Sequence, residues 1–151
     1  MAIPRQRPYG QFNFLVTLGQ IGGDPNAPDA GFQEISALGM EVGVAEYRYG
    51  NHKLNNTLKV TGLGKSTDVT LKRGVMGTKT VYEWFDRIRN GQNDLQTVRI
   101  ELRNEENSET VQTWILTNAQ VIKFTTGTLN ARSNEIAMEE LTLTFERMEV
   151  Q

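Results

Sequence analysis

The chain has 151 residues, of which 38% are hydrophobic and 23% charged. That is enough for one domain with a modest core, burying roughly 68–70% of the surface an unfolded chain exposes. Sixteen Lys and Arg against eighteen Asp and Glu leave a formal charge of −2, which argues against a nucleic-acid binder, whose basic excess gathers on one face. The absence of cysteine excludes a disulfide framework and thiolate metal sites, and no apolar run nears the ~20 residues of a membrane span. Arg5 and Arg7 precede Pro8 and Gly10 rather than an apolar stretch, so no secretory signal is expected and synthesis and folding are expected in the cytoplasm.

In chain order, Phe12, Phe14, Val16 and Leu18 alternate with polar residues, as a half-buried strand does. Residues 19–31 carry four glycines, two prolines and three Asp or Asn, and read as an exposed loop. Two strands are expected at 32–37 and 40–48, separated by Gly39. Polar residues 50–67 read as a long loop or a weak hairpin, so a single domain over 1–151 is expected to carry a protruding loop at about 48–67. Loops of this length are uncommon in compact domains and are usually functional or disordered.

A helix is expected at 81–90, with Val81, Trp84, Phe85 and Ile88 on one face and Glu83, Asp86, Arg87 and Arg89 on the other. Thr80 with Glu83 has the spacing of a capping box, Gly91 suits a left-handed helix end, and Glu83 with Arg87 suits an i,i+4 pair. Strands return with Val98, Ile100 and Leu102, a charged turn at Asn104–Glu109, then Val111–Thr117, Val121–Thr125 and Glu135–Val150. In the last strand Ile136 and Met138 have one parity and Leu141, Leu143 and Phe145 the other, which predicts a β-bulge near Glu139–Glu140. The fold class is mainly β: a β-sandwich or partly closed antiparallel β-barrel of seven or eight strands, with one α-helix packed across an open end. Trp114 and Phe145 are expected to join the helix anchors in the core rather than stack on a ligand.

No catalytic constellation stands out. His52, the single histidine, sits between Asn51 and Lys53 with no second His or Cys to complete a metal site. Ser36, Ser66, Ser108 and Ser133 lie in no nucleophile-elbow pattern. Gly19-Gln20-Ile21-Gly22-Gly23 opens no helix and fails the dinucleotide fingerprint, while Gly62-Leu63-Gly64-Lys65-Ser66 has too short a spacing for a phosphate loop. Glu34, Glu41, Glu46, Glu139, Glu140 and Glu146 lie on strands. Paired carboxylates in a pocket do acid–base chemistry, but a solvent-facing strand face accounts for them better. No cofactor and no metal are expected, and the chain does not read as an enzyme.

Four segments, in order and suitably spaced, resemble the tube proteins of contractile phage tails and extracellular contractile injection systems. They are Gly31-Phe32-Gln33-Glu34-Ile35-Ser36-Ala37-Leu38-Gly39, continuing to Tyr47-Arg48-Tyr49-Gly50-Asn51; Val69-Thr70-Leu71-Lys72-Arg73-Gly74-Val75, leading to Trp84-Phe85; Trp114 with Asn118-Ala119; and Leu129-Asn130-Ala131-Arg132-Ser133-Asn134-Glu135-Ile136-Ala137. Ala37, Val121 and Val60-Thr61-Gly62 depart from the family pattern at turns.

This resemblance implies a structural subunit that forms hexameric rings stacked into a hollow tube. The implied partners are other copies of itself, a sheath, baseplate and tube-cap proteins, and cargo or DNA in the lumen. The implied location is a virion tail or injection particle, inside the cell or released by lysis. It also implies that the loop after residue 47 reaches the next ring, with Arg48, Tyr49, Asn51, His52, Lys53, Asn55 and Lys59 as candidate interface residues. Competing readings are a monomeric small-molecule-binding β-barrel, a hydrolase using the strand carboxylates, and the ring-forming tube protein of type VI secretion. The Val69–Val75 and Leu129–Ala137 segments favour the phage-tail and extracellular-injection branch over the last.

Overall fold

The computed structural model describes residues 2–19, 21–22 and 31–151; the loop expected over 19–31 lies mostly outside them. Ten strand segments and one helix follow in order: β1 (Phe14–Leu18), β2 (Ile21–Gly22), β3 (Glu34–Ile35), β4 (Met40–Tyr47), β5 (Leu58–Ser66), β6 (Val69–Gly74), α1 (Thr80–Arg89), β7 (Gln96–Arg103), β8 (Thr110–Thr126), β9 (Met138–Thr144) and β10 (Arg147–Val150). All but β4 and β5 belong to one antiparallel sheet ordered β2-β1-β7-β8-β9-β6-β3, with β10 also pairing with β8. Among the described residues the sheet does not close on itself.

Its hinge is β8, a single 17-residue strand where the sequence suggested two. The first half pairs with β7 and β10, the second with β9. Between the halves Asn118 takes φ 54°, a left-handed conformation that asparagine tolerates better than most residues. There the β7 register slips, from Val98 opposite Leu116 to Gln96 opposite Ala119. The Asn118 Nδ2 donates to Glu146 at 2.8 Å, and Ala119 is fully buried. The Trp114…Asn118-Ala119 pattern is thus a bulge that bends one strand into two wings of the sheet.

One core lies between the wings. Val16 and Leu18 of β1, Val98 and Ile100 of β7, Leu116 and Val121 of β8, Leu141 and Leu143 of β9, and Val69 and Leu71 of β6 all bury together, with Phe145. Period-two alternation places these on the inner face, with β8 changing parity between Leu116 and Val121 across the bulge at Asn118. Phe12 is an exception to the expected strand: β1 begins at Phe14, and Phe12 is exposed. The bulge expected at Glu139–Glu140 is absent. β9 begins only at Met138, Ile136 precedes it, and the extra residue is on β8, between Val121 and Lys123.

The helix buries Val81 and Trp84, with Phe85 and Ile88 packed against the core. Phe85 stacks on Phe124 of β8 with ring centroids 6.4 Å apart, and the Trp84 indole N–H donates to the Asp94 carbonyl at 3.0 Å. The helix ends as expected. Gly91 takes φ 90°, its N–H donates to Ile88, and the Gln92 N–H reaches back to Arg87, which completes a Schellman motif. Its start corrects the expectation. Thr80 is the first helical residue, the N-cap is Lys79, and no side chain caps it. Arg87 turns away from Glu83 to Asp94, Nε to Oδ2 at 2.8 Å.

An N-terminal strap crosses the β7–β8 turn. The Ile3 N–H donates to Val111 at 2.9 Å, and Glu105 accepts from Arg5 and from the Gly10 N–H. The Arg5 hydrogen bond is the main cause that lowers the Glu105 carboxyl from 4.5 to about 2. Because this pKa is depressed, the tie is complete above the unfolded value and is lost only as pH falls through about 2.

Truncating the helix anchor tests this packing. Trp84→Ala removes a fully buried ring and its hydrogen bond, and should cost about 3–5 kcal/mol. An unchanged chemical-denaturation midpoint would show that the anchor contributes little.

Candidate assembly surface

Strands β4 and β5 form a separate two-stranded sheet. The polar stretch after Tyr47 is therefore a hairpin, and the protruding loop expected over 48–67 is confined to residues 48–57. Every residue of β4 is exposed, as is every residue of β5 before Ser66. At its base the Thr67 N–H donates to the Gly39 carbonyl, closing the hairpin, and Ser66 Oγ donates to the Phe145 carbonyl, tying it to the body.

Successive side chains on β4 alternate between faces. Met40, Val42 and Val44 share one face with Glu46; Ala45 and Tyr47 share the other with Glu41. The register sets Lys59 opposite Glu46 and Lys65 opposite Glu41, and sets Leu58 and Val60 opposite Tyr47 and Ala45. Between Val42 and Val44 the register slips, with an extra residue on β5. Near the base the apolar residues of β4 lie on one face; near the tip those of both strands lie on the other. Each face also carries an opposite-charge cross-strand pair. Leu63, at the bulge, is 90% exposed.

At the tip, Arg48, Tyr49, Asn51, Lys53 and Asn55 are exposed and His52 is half-buried. The His52 ring meets Tyr49 edge-on at 4.8 Å, the His52 backbone N–H donates to the Tyr49 carbonyl, and the ring Nδ1 lies 3.0 Å from the Leu54 carbonyl oxygen. These contacts shape the loop and leave its basic side chains facing solvent. Lys59, expected with this loop, belongs to β5.

The other expected positions fall as follows. Val81, Trp84, Phe85, Ile88, Trp114 and Phe145 all pack in or against the core. Gly62–Ser66 lies inside β5, so no phosphate loop forms. The carboxylates do not converge: Glu34 and Glu140 flank Lys72 at 3.9 and 3.5 Å, Glu146 binds Asn118, and Glu41 and Glu46 sit on the hairpin. Among the described residues no three His, Cys, Asp or Glu are grouped to hold a metal ion, and no helix is long and apolar enough to cross a membrane.

Glu139 is different, and the sequence reading missed it. It stands opposite Arg73 across the β6–β9 ladder, and both side chains are buried and joined through Nε and Oε1. Arg73 also donates to Thr78 Oγ1 at 3.3 Å and lies over the Phe32 ring, 5.6 Å from its centroid. The pair thus joins two of the segments that carry the tube-protein resemblance, through Phe32 and Arg73, to Glu139 of β9. The signal was present: Arg73 shares the parity of Val69 and Leu71, and Glu139 that of Leu141 and Leu143.

In sequence, residues 10–149 match the family described as T4-like virus tail tube protein gp19. The chain belongs to this tail tube family. It is a structural tube protein, not an enzyme, and the small-molecule barrel and hydrolase readings fall with that assignment.

Solved structures agree. The chain is similar to a chain of the PVC sheath–tube complex of an extracellular contractile injection system in the extended state, at 29% identity over 97% of this chain and 93% of that one, with TM-score 0.82. It is similar at 31% identity to a chain of the anti-feeding prophage tube-terminating cap, over 100% and 95% of the two chains, with TM-score 0.83. Hcp1 from Flavobacterium johnsoniae shares the fold, with TM-score 0.55 at 9% identity over 91% and 93% of the two chains. No curated protein matches the chain in sequence.

The buried pair gives a test of what supports this tail tube fold. Glu139→Gln removes the buried carboxylate that faces Arg73 and should destabilise by about 3–5 kcal/mol, whereas the apolar double replacement Arg73→Met with Glu139→Leu should cost much less. Equal losses in urea melts of the two variants would show that the charge pair is not what matters at this site.

Proposed function

We propose that six copies close into a ring in which the outer edges of each β4–β5 hairpin pair with the hairpins of its neighbours. The observation that carries this reading is the hairpin itself: two strands with, among the described residues, no further strand beside either one, and apolar side chains exposed on both faces. Open edges of this kind template pairing with another chain, and cyclic pairing closes them into a barrel. The number six is supported by likeness to a chain of the anti-feeding prophage baseplate, which was 6-fold symmetrised; there the identity is 30% over 97% of both chains, with TM-score 0.81.

Rings then stack, and the loop at 48–57 makes the contact between them. Each exposed charge pair formed by Arg48 or Lys53 contributes little, about 0.2–1 kcal/mol, but the contact repeats around the ring and gains by multivalency. The sheath, baseplate and cap of the related particles are the partner classes this reading assigns to the tube. The tube is assembled inside the producing cell and leaves with its particle, and its lumen is the path for cargo or DNA.

Sedimentation at high concentration with sheath and baseplate proteins present, followed by negative-stain imaging, tests ring formation. Rings or tubes are expected; a strictly monomeric chain under all these conditions contradicts the proposal. Replacing Asn51–Thr57 with a Gly-Ser turn should leave single rings intact and prevent long tubes. Tubes of normal length and rigidity from that variant would remove the loop from the interface.

A further inference from the structure

A tube that grows by head-to-tail stacking joins two different surfaces of one subunit, one at each end. The hairpin marks the first end. β5 leads through Thr67 and Asp68 into β6, whose first residue, Val69, pairs with Leu143 of β9. The same ladder finishes at Gly74 opposite Met138, and β8 finishes there too, with Thr126 opposite Glu139. The end of the body remote from the hairpin is therefore built by residues 75–79 and 127–137.

That remote end is apolar and preformed. Val75 and Met76 are exposed there, and Leu129 and Ile136 are 75% and 78% exposed. Hydrogen bonds hold the loops in place: Val75 N–H to the Ala137 carbonyl, Gly127 N–H to the Met138 carbonyl, Arg132 N–H to Asn130 Oδ1, and Glu135 N–H to Ser133 Oγ. Two recesses share Glu135 in their walls. One of 270 Å³ is bounded by Leu129 and Asn130, the other of 540 Å³ by Gly74, Ile136 and Met138.

We infer that this end receives the hairpin loop of a subunit in the next ring, with Leu54 entering the recess beside Ile136 and Arg48 or Lys53 facing Glu135. The inference rests on the stacking proposed above and names the surface that completes it. Leu54 is 64% exposed at the tip of a loop that carries basic residues and no acidic one. The receiving end carries one acid, Glu135, and two bases, Lys79 and Arg132, so the fit comes first from shape and apolar area and second from Glu135. The apolar groove between Ile35, Leu38, Leu102 and Trp114 is a poorer receiver, because it opens beside the hairpin's own base, at the same end of the body.

The chain has no cysteine, so a disulfide reports this contact without background. In the double variant Leu54→Cys with Ile136→Cys, oxidised tubes should give a covalent ladder on a non-reducing gel. Isolated rings and each single variant should not. Independently, Leu129→Glu with Ile136→Glu, both at exposed positions, should melt like the unsubstituted chain and form rings of normal diameter but lose stacking. A ladder from isolated rings, no ladder from tubes, or full-length tubes from the glutamate variant overturns the inference while leaving the tube reading intact. If the unsubstituted chain makes no rings at all, both fall together.

Discussion

Among the described residues the β4–β5 hairpin has no other strand beside it, and this constrains the rest of the molecule. An isolated two-stranded hairpin is marginally stable in water, and this one also exposes Val42, Val44, Val60 and Leu63. Its apolar side chains divide between the two faces, Met40, Val42 and Val44 on one and Ala45, Tyr47, Leu58 and Val60 on the other, so packing on one side leaves part of them uncovered. In the proposed ring, neighbouring copies along both edges pair the open backbone groups of the two strands. The cross-strand pairs Glu41–Lys65 and Glu46–Lys59 keep the hairpin net neutral, so close approach of several copies brings no accumulated charge at these positions.

The body supplies the rigidity that such a projecting element needs. Asn118 bends β8 so that one strand serves both wings, which places Val98, Leu116, Leu141 and Leu71 around one core. Helix α1 covers that core through Trp84 and clamps the second half of β8 through Phe85 and Phe124. On the other wing, Arg73 and Glu139 join β6 to β9 from inside. A buried pair of this sort contributes little net stability compared with apolar residues, but losing one partner is costly. It resists register slips between the strand that leads out of the hairpin and the strand beside it, because a one-residue slip would separate the charges.

Legibility in the sequence followed burial. β1, β7 and β9 bury one face, so their alternation was readable, as was the apolar stripe of α1. Residues 50–67 read as either loop or hairpin because Leu58–Ser66 is exposed on both faces within a single copy and carries Gly62 and Gly64, so no inward face marks the strand. The capping box failed because Thr80 lies inside the helix, where its Oγ1 is buried without a partner among the described residues. β8 looked like two strands because a left-handed Asn118 breaks the alternation without breaking the strand. Arg73 and Glu139 were hidden by residue type: two charges at core parity on separate strands reveal a pair only when the register is known. The family itself was legible in the four segments, several of which turn out to fix the bends and turns of the fold.

The most direct test of the central claim is amide hydrogen exchange along Met40–Tyr47 and Leu58–Ser66, compared between dispersed subunits and assembled rings. Within one copy, the amides of each strand that point away from its hairpin partner have no strand to bond. If neighbouring hairpins pair, those amides should exchange freely in the dispersed chain and become protected on assembly, while the amides between β4 and β5 are protected further. Equal exchange in the two states, with rings present, would contradict edge-to-edge pairing and would require a ring held together by other surfaces.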